Sequence, residues 1–69
     1  MNYSFQREKI LEIVLTSHDH PTAEMIYNRV KKIIPNVSLG TVYRNLNFLV
    51  EHGDISRINK LYSEEQFRI

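Results

Sequence analysis

The sequence has no cysteine, which removes disulfide bridges, thiolate metal sites and cysteine nucleophiles from the chain. It has only two glycines and two prolines, and no glycine-rich loop that could cradle a phosphate. No run of about 18 apolar residues is present, so the sequence predicts no membrane span. The N-terminus also lacks the basic start and apolar block of a signal peptide. We therefore expect one small cytoplasmic domain over residues 1–69, since so short a chain builds a single core.

No pattern of catalytic residues is evident in the sequence. The serines have no base and orienting group at a recognisable spacing, and some are better placed as helix caps. Glu64 and Glu65 are neighbours, so on a strand their carboxylates would point to opposite faces. We expect no enzymatic activity.

The charges are unevenly distributed, although the net charge is only +1. Residues 25–50 contain four cations and no acid, whereas acids are frequent on both sides. An acid-free middle third suits an anionic partner such as nucleic acid. The alternative is an ordinary solvated face with chance clustering of four charges.

Helical periodicity predicts two helices in the first half of the chain. Ser4 can cap the first, which begins at Phe5 and ends near Thr16, before a turn that leads to Pro21. Thr22 can cap the second, which ends before Pro35-Asn36. The apolar stripe of the first helix comprises Phe5, Ile10, Leu11, Ile13, Val14 and Leu15, and that of the second comprises Ala23, Ile26, Tyr27, Val30, Ile33 and Ile34.

A third helix and a hairpin complete the predicted order. Ser38 can cap a helix over 38–52, and Gly53 can end it in the left-handed conformation. The apolar period then changes from about 3.6 to about 2, which predicts two strands at about 55–60 and 65–69. A lone hairpin is marginal in water, so this one must pack on the helices. The fold class is mainly α with a small β-hairpin: a winged helix-turn-helix of three helices plus a two-stranded wing.

In this fold the third helix enters the DNA major groove, so its positions off the apolar stripe are candidate contacts. Ser38, Gly40 and Thr41 lie at its start, where hydroxyl and backbone N–H groups bind phosphate. Arg44 can donate two bonds to guanine, and Asn45 can pair with adenine. The alternative is an ordinary polar helix face, on a winged helix that contacts another protein instead of DNA.

Tyr43 and the wing residues each have two interpretations. Spacing places Tyr43 in the apolar stripe, which favours a core or boundary aromatic over a ring presented to thymine methyls. Arg57 and Lys60 on the wing can contact backbone phosphate and fix the register. Plain strand-surface charge explains the two cations equally well.

Three stretches of the sequence resemble the N-terminal DNA-binding domain of the ferric uptake regulator (Fur) family. They are Ser-Phe-Gln-Arg-Glu-Lys-Ile-Leu at 4–11, His-Pro-Thr-Ala-Glu-Met-Ile-Tyr at 20–27, and Pro-Asn-Val-Ser-Leu-Gly-Thr-Val-Tyr-Arg-Asn-Leu at 35–46. Thr-Val-Tyr-Arg at 41–44 is the most specific piece, and the resemblance covers essentially the whole chain. Among the branches of the family, the sequence resembles the peroxide-sensing branch most. The resemblance implies a metal-responsive bacterial transcription repressor that binds an AT-rich palindromic operator.

The resemblance also implies roles for particular residues and partners. Tyr43 and Arg44 match the positions that read DNA in the family, which reverses the preference from spacing for Tyr43. Family members are roughly twice as long, and their second half supplies the dimer interface and most metal ligands. We therefore expect an isolated domain or part of a longer chain, monomeric alone and a homodimer in the full-length protein. The sequence departs from the family in its glycine-free wing and in its short N-terminus, which leaves no room for an extra helix.

One turn of the sequence contains candidate metal ligands. His18, Asp19 and His20 have suitable ligand chemistry, but their spacing alone favours solvent-exposed turn residues. The resemblance implies that His20 is one ligand of a regulatory iron, manganese or zinc ion, with the other ligands in the second half of the full-length protein. We expect no cofactor in this chain by itself.

Overall fold

The computed structural model describes residues 3–58 and 65–69. Three helices precede a two-stranded antiparallel hairpin, which is the predicted winged helix-turn-helix order. In the described part of the chain, no helix is both long and apolar enough to cross a membrane. The elements are α1 (Tyr3–Thr16), α2 (Ala23–Val30), α3 (Leu39–Glu51), β1 (Ser56–Ile58) and β2 (Gln66–Arg68).

Two of the three predicted helix caps are confirmed. The Thr22 side chain accepts a hydrogen bond from the Met25 N–H at 3.2 Å, and Ser38 accepts one from the Thr41 N–H at 3.1 Å. The predicted Ser4 cap is wrong, because α1 already begins at Tyr3 and Ser4 lies inside the helix. The predicted ends of α1 at Thr16 and of α3 at His52 are confirmed.

The second helix ends at Val30, earlier than its apolar stripe predicts. After Val30 the chain forms a tighter turn of the 3₁₀ type, in which the Ile33 N–H donates to the Val30 carbonyl at 2.8 Å. This turn leads Val37 into the core, where it is buried, and leaves Ile33 exposed. The predicted apolar stripe therefore matches the buried face of α2 only as far as Val30. Beyond the helix, Ile34 is partly buried and packs against the core.

A single apolar core lies between the three helices and the hairpin. On α1 the apolar side chains of Ile10 and Val14 are fully buried, while Phe5 and Leu15 are exposed, in contrast to the prediction. This helix contacts α2 and α3 along one narrow side, because i and i+4 positions share a face. The buried apolar residues are Ile10, Val14, Ala23, Ile26, Val30, Val37, Val42, Leu46, Leu49, Ile55 and Phe67.

The hairpin is anchored to the helices by its second strand. Arg57 on β1 pairs with Phe67 on β2, and the Phe67 N–H donates to the Pro21 carbonyl at 3.0 Å. An isolated bridge between Thr22 and Gln66 continues the ladder to the start of α2. The second strand is shorter than predicted at both ends, and β1 begins one residue later than predicted. The predicted end of β1, at residues 59 and 60, lies outside the described residues. Gly53, with φ of 79°, turns the chain from α3 toward β1.

The Thr22 cap should matter for stability because α2 has only eight residues. We expect Thr22→Ala to lower the free energy of unfolding by about 1 kcal/mol, since it removes the acceptor for the Met25 N–H. Thr22→Ser keeps that oxygen and serves as the control. Urea unfolding followed by circular dichroism measures the effect, and equal stabilities of the two variants would contradict it.

Candidate nucleic-acid interface

Three side chains form a hydrogen-bonded cluster at the N-terminal end of α3. The Ser38 hydroxyl donates to the Thr41 hydroxyl oxygen at 2.9 Å, in addition to capping the Thr41 N–H. The Arg44 guanidinium donates to the same Thr41 oxygen at 3.2 Å. Thr41 is only 7% exposed, whereas Ser38 and Arg44 are at the surface. The structure therefore brings these three predicted residues together, but it buries Thr41 beneath the other two.

The start of α3 is open to an anion. A helix N-terminus carries unpaired N–H groups and a partial positive charge. No acid lies in the first turn of α3, and Gly40 there is exposed. A Cβ added at Gly40 would lie 3.9 Å from both the Arg44 guanidinium and the Ser38 hydroxyl. Because Gly40 has no side chain, that space stays available to phosphate oxygens next to Arg44.

Tyr43 lies at the border of the core instead of inside it. It is 43% exposed, which is the boundary position that spacing allowed for in its preference for a core or boundary aromatic. The ring lines a pocket of about 360 Å³ together with Glu24, Glu65 and Phe67. The exposed ring fits the DNA-reading position that the family resemblance implies, but its surroundings contain two carboxylates.

Asn45 does not face outward as the sequence predicted. It is 4% exposed, its amide donates to the Thr41 carbonyl at 2.9 Å, and its oxygen accepts from Arg7 at 3.3 Å. Both polar ends are thus engaged inside the domain, and the buried amide is not presented to an adenine edge. Asn45 instead connects α3 to α1.

Arg7 on α1 is a residue that the sequence reasoning missed. Its guanidinium lies 3.6 Å from the centre of the Phe48 ring, and that ring stacks on His52 at 3.8 Å. With its bond to Asn45, Arg7 contacts α3 at two successive turns. No local signal could reveal this, because Arg7 and Asn45 are 38 positions apart.

The wing cation Arg57 is held by its neighbours. Its guanidinium forms an ion pair with Glu65 at 3.1 Å and hydrogen bonds to the Asn47 side chain. A phosphate would have to compete with the Glu65 carboxylate for this cation. Lys60, the second predicted wing contact, lies outside the described residues.

The turn before α2 is organised around an ion pair. Asp19 accepts from Arg29 at 2.9 Å, and Arg29 also donates to the Ser17 hydroxyl at 2.7 Å. The hydrogen bond from Arg29 lowers the pKa of Asp19 below its ordinary value. His20 is exposed, and its φ of 49° is in the left-handed region. The described residues bring together no set of three His, Asp or Glu side chains able to hold a metal ion, so His20 offers one donor.

The fold and this helix start define a class of protein: winged helix-turn-helix domains whose third helix has no acid in its first turn. Within that class, the model of the ferric uptake regulator family matches residues 1–69, and the chain belongs to this family. The resemblance inferred from the sequence is thereby confirmed.

Similar proteins are repressors and uptake regulators, which supports the expectation that the chain is not an enzyme. The peroxide-responsive repressor PerR of Staphylococcus aureus is 36% identical over 62 residues, which cover 90% of this chain and 42% of PerR. The Campylobacter jejuni peroxide stress regulator superposes with a TM-score of 0.88 at 39% identity, over 97% of this chain and 49% of its own. The Helicobacter pylori ferric uptake regulator Fur gives 0.91 at 32% identity, over 96% of this chain and 45% of its own. The chain thus spans less than half the length of these relatives.

The Asp19–Arg29 pair predicts a pH response. A carboxyl group with a lowered pKa stabilises the fold above its unfolded pKa, and this contribution is lost as the pH falls through the lowered value. We expect the NMR titration midpoint of the Asp19 carboxyl to lie below the ordinary value, and Arg29→Gln to raise it. Lys32→Gln, a nearby loss of one cation, is the control. An unchanged midpoint in Arg29→Gln would contradict the assigned cause.

Proposed function

We propose that this chain is the DNA-binding domain of a metal-responsive transcription repressor, and that α3 enters the major groove. The observation that carries the proposal is the Ser38–Thr41–Arg44 cluster at an acid-free helix start, on the fold of PerR and Fur. A repressor of this kind acts in the cytoplasm, where the bacterial chromosome lies.

The contacts divide between phosphate and base edges. The backbone N–H groups at the start of α3, next to Ser38, donate to a backbone phosphate, with Gly40 allowing close approach. Arg44 presents a planar fork to a base edge, for which guanine O6 and N7 are the preferred partners. The half-exposed ring of Tyr43 contacts thymine methyl groups. Arg57 contacts a backbone phosphate only where that phosphate displaces the Glu65 carboxylate from its ion pair with Arg57.

The operator and the dimer are parts of the same proposal. An AT-rich palindrome provides two half-sites, and each half-site takes one winged helix of a homodimer. This chain matches 42% of the length of PerR. We place the residues that hold the dimer together in the remaining part of the full-length protein. One domain makes few phosphate contacts, so we expect the chain alone to be monomeric and to bind a half-site weakly.

The regulatory metal is a proposal about the full-length protein. The Helicobacter pylori Fur structure is described as having three functional metal binding sites, and a manganese uptake regulator of the same fold is described as zinc-bound. In the described residues the exposed His20 provides one imidazole, while Asp19 is committed to Arg29. One imidazole does not fit a complete site for iron, manganese or zinc. We propose only that His20 supplies one ligand and that the other ligands come from outside this chain.

Arg44 tests the proposed reading helix. We expect Arg44→Ala to weaken binding to an AT-rich inverted-repeat duplex by about 1–3 kcal/mol, because a fork contact to a base edge is lost. Arg44→Lys keeps the charge but not the fork, so it should keep the salt dependence and lose preference over a scrambled duplex. Fluorescence anisotropy at two salt concentrations measures both quantities.

Arg29→Ala is the matched control, because it removes the same charge from a residue engaged with Asp19 and Ser17. It should leave discrimination between the two duplexes unchanged. Equal, salt-sensitive affinity of the native chain for both duplexes would reduce the interaction to non-specific attraction. No binding to either duplex would favour the alternative of a winged helix that contacts another protein.

A further inference from the structure

The Arg44 side chain is at the surface, yet one of its guanidinium nitrogens is bonded to Thr41 at 3.2 Å. We propose that Thr41 is a positioning residue, whose hydroxyl oxygen orients the Arg44 guanidinium for base recognition. This inference rests on the proposed function. It makes the discrimination between DNA sequences depend on Thr41, although Thr41 itself does not contact DNA.

The Thr41 oxygen is a fixed point, because Thr41 is held from several sides. Its backbone N–H is capped by Ser38, and the Ser38 hydroxyl donates to its side-chain oxygen. Its carbonyl accepts from Asn45, which Arg7 ties to α1. The acceptor of the Arg44 hydrogen bond is therefore anchored to two helices of the domain.

Thr41 is poorly suited to touch DNA directly. Its side-chain oxygen accepts hydrogen bonds from both Ser38 and Arg44, and both of these neighbours are more exposed than Thr41. The residue is also only 7% exposed. Because Thr41 lies beneath Ser38 and Arg44, it acts on DNA through Arg44.

Arg44 gains from this hydrogen bond because its side chain is long and rotamer-rich. Ordering such a side chain on binding costs free energy, and a contact already made in the free protein removes part of that cost. Thr41 takes one of the five guanidinium N–H donors, which leaves enough for a bidentate contact to a base edge. The hydrogen bond thus orients the guanidinium in advance and leaves its other N–H groups available for the base edge.

Two substitutions separate the oxygen from the shape of the side chain. Thr41→Val keeps the branched shape and removes the oxygen, whereas Thr41→Ser keeps the oxygen. Thr16→Val is the matched control, because the exposed Thr16 hydroxyl bonds to the Glu12 carbonyl on α1 at 2.8 Å. Thr41→Ala serves as a second oxygen-free variant should the valine prevent folding.

The first measurement is nitrogen relaxation of the Arg44 side-chain Nε–H in the chain without DNA. We expect an ordered Nε–H in the native chain, in Thr41→Ser and in Thr16→Val. In Thr41→Val it should become mobile. An equally ordered Arg44 in the oxygen-free variant would overturn the inference without reference to DNA.

The second measurement is the affinity ratio between an AT-rich inverted-repeat duplex and its scramble. We expect Thr41→Val to lower this ratio about three- to tenfold, the cost of ordering one long side chain. The salt dependence should stay unchanged, because Arg44 keeps its charge. Thr41→Ser should restore the ratio.

The outcomes separate this inference from the proposed function. A mobile Arg44 in Thr41→Val with an unchanged affinity ratio would overturn the role assigned to Thr41, even if the native chain reads DNA. Equal affinity of the native chain for both duplexes would instead overturn the proposed function, and the DNA role of Thr41 with it. A mobile Arg44 together with a reduced ratio supports both.

Discussion

The burial of Phe67 fixes the wing on the helices. Strands as short as β1 and β2 do not form a stable hairpin in water by themselves. Among the described residues Phe67 is the largest fully buried side chain, and burying such a ring contributes about 1.5–3 kcal/mol. Its burial brings β2 against α1 and places its N–H on the Pro21 carbonyl. The same contact fixes the chain just before α2, so the wing and the helix-turn-helix share one anchor.

The interface uses hydrogen bonds that the fold also needs. Ser38 caps α3 and, through the same hydroxyl, reaches Thr41. Asn45 satisfies the Thr41 carbonyl and, with Arg7, joins α3 to α1. A domain of 69 residues without cysteine has one small core to rely on, so few polar groups can be devoted to function alone. Substitutions at the base of the interface therefore alter stability and recognition together.

What the sequence predicted well is local. The Ser38 cap, the apolar stripe and Gly53 together predict α3 almost to the residue, because each signal acts within one or two turns. The end of α2 depends on where Val37 must be buried, which no pattern within α2 records. Helical spacing gives the direction of Tyr43 but not whether another element covers it. The role of Asn45 required knowledge of Arg7, which approaches from another helix.

Recognition by the proposed interface depends more on geometry than on charge. Arg57 is paired with Glu65, and Glu24 and Glu65 lie beside Tyr43. These carboxylates offset the attraction that a polyanion would feel, and the net charge of the chain is only +1. Non-specific binding to DNA scales with the number of phosphates neutralised, so it should be weak for one such domain. Discrimination between sequences then falls to the few groups with a defined direction, and the Arg44 guanidinium is the one that the fold holds in place through Thr41.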